Sequence, residues 1–322
     1  MGAMAELFAD LLGQPQAVGL LTAALERQRL PPAYLFVGAE GVGRRLAALR
    51  LLEGVLTGGT TGSVPLRRRL VEGNHPDLLW VEPTYLHQGR LVKASEAEAL
   101  GLSRRSPPQL RLEQVREVTR FLARRPVEGG RSLVVLETAE AMAEAAANAL
   151  LKTLEEPGHG LLILLTATPE RLLSTIRSRC QSIPFARLTP ALVRQVLERQ
   201  PLAEGEPPGP VVDPPELLEL AAGSPGALLR HRRVWQGLPE GLADRLLTLG
   251  REPMEALGLA RDLSEALDGE QQLWLLDWWQ MHLWRQRLEP APLRRIEQLR
   301  SHLLAYVQPR LAWEVALLDL GR

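Results

Sequence analysis

Cysteine is nearly absent from this chain of 322 residues, with Cys180 the only one. Internal disulfides are thereby excluded, as is a zinc site built on several thiolates, and a reducing compartment fits. An excess of one charge is missing too, since 38 basic and 38 acidic side chains leave a formal net charge of zero. No overall field draws the chain to nucleic acid or to an anionic membrane, so any contact with DNA has to be local. No apolar run reaches the roughly 18–20 residues of a membrane span. The start, Met1-Gly2-Ala3-Met4-Ala5-Glu6-Leu7, lacks a basic stretch leading into an apolar core. A cytoplasmic protein without membrane contact is expected.

What is present is apolar side chain, 45% of the residues, enough for two or three packed domains. Apolar residues at helical spacing predict a helix over 7–29, stopped by Pro31-Pro32. A compact apolar run follows at 33–37, then Gly38-Ala39-Glu40-Gly41-Val42-Gly43, then a helix over 44–55. Strand, glycine loop and helix in that order form the layout of a phosphate-binding unit. Further strands are predicted at 78–81, 133–136 and 161–165, with a helix over 144–155 ended by Pro157. Apolar strands alternating with helices predict an α/β domain, a mostly parallel sheet covered on both faces, over 1–186. The polar segment 84–108 reads as an insertion or flexible hairpin. Beyond residue 188 everything reads helical: a small lid over 187–232, interrupted by a proline-rich stretch at 204–215, then an all-helical domain over 233–322.

The phosphate-binding pattern Gly-x-x-x-x-Gly-Lys-Ser/Thr works because backbone amides cradle phosphates, the lysine reaches the β and γ phosphates, and the hydroxyl holds magnesium. Here Gly38, Gly41 and Gly43 are followed by Arg44 and Arg45. Arg44 keeps the charge on a bulkier planar head, whereas Arg45 puts a cation where an oxygen ligand belongs, so the metal site is lost. The complementary half-site, an acidic pair after the 133–136 strand, is replaced by Glu137-Thr138. Thr138 does not ionise at neutral pH and cannot be a general base, so hydrolysis within the chain is not expected.

Two longer runs carry a family resemblance. One spans Ala139-Glu140-Ala141-Met142 through Asn148-Ala149-Leu150-Leu151-Lys152-Thr153-Leu154-Glu155-Glu156-Pro157; the other is Ser174-Thr175-Ile176-Arg177-Ser178-Arg179-Cys180-Gln181. Together they resemble the bacterial clamp-loader subunits, a family of AAA+ ATPases. The degenerate loop, with Asn74-His75-Pro76-Asp77 and Gly223-Ser224-Pro225-Gly226, is similar to the delta-prime branch of the DNA polymerase III clamp loader. The resemblance is strong over 7–230 and weak beyond, to Gln308-Pro309-Arg310-Leu311-Ala312-Trp313-Glu314.

The resemblance implies a non-hydrolysing member of a pentameric ring in DNA replication, with gamma/tau and delta subunits as partners. The sliding clamp and primer-template DNA would be met through the complex. It implies that Arg179 is a catalytic finger acting in trans on ATP and magnesium in a neighbouring subunit. No cofactor and no metal are expected in this chain itself. Many relatives carry a four-cysteine zinc module where this chain has 57–70, without cysteine. The second sensing arginine of active relatives falls at Gly226, and the segment Thr166-Ala167-Thr168 lacks the usual asparagine, leaving Arg230 as a surface charge.

Smaller features read structurally. Cys180 is a buried thiol rather than a nucleophile, since no histidine with a partner stands near it in sequence. His75 reads as a residue of a strand entry. Trp274, Trp278, Trp279, Trp284 and Trp313 read as core or subunit contacts of a helical collar rather than as a stacking surface for bases. Two other functions compete. One is a self-sufficient ATPase in which Arg44 and Glu137 replace lysine and aspartate; the other is a DNA-binding module using Arg67, Arg68, Arg69, Arg104 and Arg105.

Overall fold

The computed structural model describes residues 6–59, 63–99, 107–156, 158–199, 213–286, 290–305 and 307–320. They divide into two compact units, Met1–Val196 and Leu197–Arg322. Arg104, Arg105, Pro157 and the proline-rich stretch up to residue 212 lie outside the described residues.

The first unit opens with α1 (Pro15–Glu26), β1 (Ala33–Val37) and α2 (Arg44–Thr57). Next come α3 (Val64–Val71), β2 (Leu78–Val81), β3 (Thr84–His87), β4 (Arg90–Lys93) and α4 (Ala94–Ala99). It continues with α5 (Leu112–Leu122), β5 (Leu133–Leu136), α6 (Glu144–Glu155), β6 (Leu161–Thr166), α7 (Ser174–Arg177) and β7 (Gln181–Pro184). The helix expected over 7–29 is shorter, because Gly13 turns the chain at φ +72° and Pro15 fixes a fresh first helical turn. At the other end Gln28, at φ +51°, leaves helical geometry before the two prolines.

Five strands form one parallel sheet in the order β2-β5-β6-β1-β7. β5 and β6 are buried along their whole length, as continuous apolar runs in a doubly covered parallel sheet should be. One face packs Leu35, Val134, Leu136, Leu162 and Leu164 against Val115, Val118 and Leu122 of α5 and Ala146, Leu150 and Leu154 of α6. The segment 84–93 is an antiparallel hairpin whose turn residues, Gln88 and Gly89, both have positive φ, the backbone that lets a two-residue turn follow the strand twist.

α8 (Pro190–Arg199) precedes the second unit's own helices: α9 (Pro215–Ala221), α10 (Pro225–Gln236), α11 (Leu242–Leu247), α12 (Pro253–Ala266), α13 (Gly269–Arg285), α14 (Pro290–Leu304) and α15 (Pro309–Leu320). Gly223-Ser224-Pro225-Gly226 is a helix start. Ser224 Oγ accepts the Ala227 amide at 3.2 Å, Pro225 stands in the first turn, and Gly223 takes φ +78° ahead of it. Trp278, Trp279 and Trp313 are core residues; the Trp313 indole donates to Gln272 Oε1 at 2.9 Å. Trp274 donates to His231 Nδ1 at 2.8 Å, while Trp284 is exposed.

Candidate functional site

The glycine loop joins the C-terminal end of β1 to α2, and Arg44 and Arg45 follow it where the phosphate-binding pattern has lysine and a hydroxyl. Gly38 donates to the Thr166 carbonyl at 3.1 Å, and a Cβ there would lie 2.6 Å from the Phe185 oxygen. Gly41 and Gly43 take φ +77° and +110°, backbone that only glycine adopts cheaply. Gln14 fixes the loop to the end of β7: its buried amide donates to Val42 O at 3.1 Å and Ala186 O at 2.7 Å, and accepts from Ala186 N at 2.9 Å. The sequence gives no periodic or motif signal for Gln14, because a clamp between segments 172 positions apart is a property of the fold.

Arg44 is the first residue of α2 and is only 9% exposed. Its Nε and Nη1 are buried without a hydrogen-bond partner. Burial holds its pKa below the usual arginine value, against the opposing pull of Glu140, Glu40 and Glu137. Arg45 is different. Its Nη1 donates to Glu137 Oε1 at 2.8 Å, and its guanidinium lies 4.8 Å from the centre of the Trp80 ring. The Trp80 indole donates to that same Glu137 oxygen at 2.8 Å. Burial pushes the Glu137 carboxyl up, while Arg45 and Trp80 work the other way.

The residues that follow the glycine loop and β5 therefore meet each other. A magnesium ion would need an oxygen ligand at position 45 and free lone pairs on the strand-end carboxylate. The residues present do not fit it, because position 45 is a cation already bonded to Glu137. Thr138, the residue after Glu137, is held at φ +48°. Among the described residues no group of three or more His, Cys, Asp or Glu is arranged to hold a metal ion. A cavity of about 620 Å³ opens beside these groups, with Glu40, Arg45, Glu82, Glu137, Glu140 and Arg171 among its lining. Trp80 is the member of this cluster that sequence inspection missed; half-buried at a strand position, it looks like an ordinary sheet residue.

Arg179 stands elsewhere. It follows α7 and precedes β7, whose Gln181 pairs with Tyr34 while Pro184 pairs with Val37, the residue before the glycine loop. The strands are parallel, so Arg179 lies at the opposite end of the sheet from the chain's own loop, roughly 15 Å away at ~3.3 Å per residue. Its Nη2 donates to Glu155 Oε1 at 2.7 Å and its Nη1 to the Thr175 carbonyl at 3.1 Å, and the side chain is 36% exposed. Cys180 beside it has its thiol pushed up to about 11 by burial, which removes it as a nucleophile.

His75 and Asp77 are structural. The Asp77 carboxylate accepts the amides of Val127, Glu128 and Gly129 at 2.5, 2.8 and 2.6 Å, fastening the entry of β2 to the loop before β5. Arg67, Arg68 and Arg69 are paired with Glu53, Glu72 and Glu128. Arg230 also has a partner of its own.

A parallel sheet bearing a glycine loop, followed by helices, defines an α/β domain of the P-loop type with a helical C-terminal part. In fold the chain resembles a gamma-subunit-related protein of DNA polymerase III from Thermotoga maritima, with a TM-score of 0.50 at 17% identity over 95% of this chain and all of that one. Residues 13–189 match the family described as DNA polymerase III, delta subunit, and residues 191–320 match the cyanobacterial DNA polymerase III delta prime C-terminal domain. The chain belongs to the DNA polymerase III delta/delta-prime family. It is 35% identical over 192 residues to the DNA polymerase III subunit delta' of Bacillus subtilis, covering 58% of this chain and 52% of that protein. It is 37% identical over 216 residues to the delta' subunit of Pseudomonas aeruginosa, covering 65% and 57%. The chain thus matches a little over half the length of these relatives.

Proposed function

We propose that this chain is a non-hydrolysing subunit of the DNA polymerase III clamp loader, working in DNA replication. It scaffolds a ring with gamma/tau and delta subunits, and it presents Arg179 to ATP and magnesium held by a neighbour. Sliding clamp and primer-template DNA are met through the assembled complex. One observation carries this: Arg179 stands two residues before the edge strand β7, at the far end of the sheet from the chain's own glycine loop, so its guanidinium has no nucleotide of its own chain to serve. The Arg45–Glu137 pair supports the same reading, since it takes the place of metal chemistry at the home site. In the free chain Arg179 rests on Glu155, and entering a neighbour's site requires exchanging that exposed pair, worth about 1 kcal/mol or less, for a phosphoryl group.

The test is reconstitution with gamma/tau and delta subunits and measurement of ATP turnover per complex. Arg179→Ala should lower hydrolysis at the affected site by about 10³-fold or more, as for other arginine fingers acting in trans. An unchanged rate in a complex of unchanged size would sink the proposal. The isolated chain should turn over no ATP. Magnesium-dependent turnover by the chain alone, abolished by Glu137→Gln, would instead make it a self-sufficient ATPase.

A further inference from the structure

The hairpin of β3 and β4 has no part in the function proposed above. Its two strands form a sheet of their own, separate from the five-stranded one. Side chains alternate between the two faces of such a pair. One face carries Tyr85 and Val92, which stand opposite each other and are half-buried, and α4 packs against the hairpin. The other face carries Leu86 and Leu91, also directly opposite each other, and these are 62% and 47% exposed. A cross-strand leucine pair left on water is a surface that gains by being covered.

The outer edge of β4 is open as well. A two-residue turn makes the flanking pair, His87 and Arg90, the hydrogen-bonded one, so the backbone groups of the next pair, Leu86 and Leu91, face away from the partner strand. Thr84 follows this alternation: its N–H and C=O bond Gln109 on the outer side of β3, at 2.9 and 3.0 Å. On β4 the corresponding outward groups are those of Leu91 and Lys93, and no strand among the described residues lies beyond them. An extended segment laid along them would continue the sheet.

Charge selects the segment. Over residues 83–95 the chain carries Arg90 and Lys93 and no carboxylate. Arg90 is exposed and has no ion pair among the described residues, while Lys93 reaches Glu96 at 3.6 Å. Leu91 and Arg90 point to opposite faces, so a strand beside them needs apolar residues on one face and acidic ones on the other, in alternation. Self-pairing of β4 is opposed, because it would set two Arg90 and two Lys93 along one short ladder with no carboxylate on either strand. Nucleic acid is opposed too, since leucine offers bases no aromatic face and one unpaired cation neutralises little phosphate.

We propose that the open edge of β4 and the Leu86–Leu91 face dock an extended segment of a partner protein in which apolar and acidic residues alternate. The backbone ladder provides the hold, the leucine pair covers the apolar side chains, and Arg90 meets a carboxylate on the opposite face. The site is independent of the role given to Arg179, and its failure leaves that role untouched.

The experiment titrates the full chain, by fluorescence anisotropy, with two short labelled peptides, one alternating valine with glutamate and one alternating valine with lysine. The glutamate peptide should bind saturably and the lysine peptide about fivefold or more weakly, the effect of exchanging an attractive cross-strand charge pair for a repulsive one. Arg90→Glu should reverse that order. Leu91→Pro, which removes an outward N–H, should abolish binding. In the unaltered chain, amide exchange at Leu91 and Lys93 should slow on saturation while that at Val92, already paired with Tyr85, stays as it was. This readout stands even if Leu91→Pro spoils the hairpin. Equal affinity for the two peptides, no binding of either, or saturation without protection at Leu91 and Lys93 overturns the proposal. So does protection of those amides by short single-stranded DNA, or by self-association of the chain at raised concentration, which would give the edge to nucleic acid or to a second copy.

Discussion

Thr138 is a β-branched residue held at φ +48°, in a region where non-glycine residues cost roughly 1–2 kcal/mol. Its carbonyl accepts the Ala141 amide at 2.8 Å, so the turn out of β5 enforces the conformation. Replacing it with glycine should relieve the strain, less the backbone entropy that glycine loses on folding, roughly 0.5–1 kcal/mol. Thr138→Gly should therefore stabilise the first unit by about 1 kcal/mol, read as a higher urea midpoint at unchanged slope. A lower midpoint would mean that the threonine side chain makes up for its backbone. Cys180 allows a second check at this scale. With its thiol pushed up to about 11, it should react with a thiol reagent at pH 8 far more slowly in the folded chain than in urea. The sequence marked Arg45 and Thr138 as departures from the residue types of the phosphate-binding pattern. That Arg45 would turn onto Glu137, with Trp80 as the third member, was not legible, because a helix residue, a strand residue and the residue after another strand have no spacing rule connecting them.

At the scale of elements, the strongly apolar strands and the helices at 44–57 and 144–155 were readable because their residues are buried on a fixed period. β7 was not, since Gln181-Ser182-Ile183-Pro184 pairs on one side only and buries little beyond Ile183. α5 hides in a charged stretch where just Val115, Val118 and Leu122 face the core. The Asn74-His75-Pro76-Asp77 motif was legible as a signature but not as a device. Burial alone would raise the Asp77 carboxyl, yet the amides of Val127, Gly129 and Glu128 outweigh burial and hold it below its ordinary range. Asp77→Ala orphans three donors at once and should cost on the order of 3 kcal/mol. Amide exchange at Val127–Gly129 should accelerate first; protection there equal to the parent's would refute a clamp.

For the whole molecule, a net charge of zero is matched by local pairing. Arg67, Arg68 and Arg69 each meet a glutamate of this chain, which offsets their share of the basic patch that a DNA-binding reading would need, while Arg104 and Arg105 lie outside the described residues. The free chain should give no shift of duplex DNA at about 0.15 M salt, where counterion release favours only proteins with several free cations. Acid sensitivity is spread over both units. Burial, then Arg69, holds His75 below its ordinary 6.5, and burial, then Arg230, does the same for His231. A depressed histidine pKa means that the unfolded chain binds more protons, so stability is full above about 6.5 and is lost as pH falls through the lowered folded values. His231 Nδ1 accepts the Trp274 indole proton and loses that bond on charging. His231→Asn should flatten the fall in stability between pH 7 and 5, followed by tryptophan emission; an unaltered slope would exclude His231 as the sensor.

The cation between Trp80 and Glu137 is covalently part of the chain. A tethered ion has no dissociation constant, so chelators, magnesium depletion and the ATP-to-ADP ratio leave Arg45 where it is. Indole fluorescence from Trp80 should then be indifferent to EDTA. In any assembly whose other members open and close with their nucleotides, these strand ends would serve as a fulcrum that does not keep time with them.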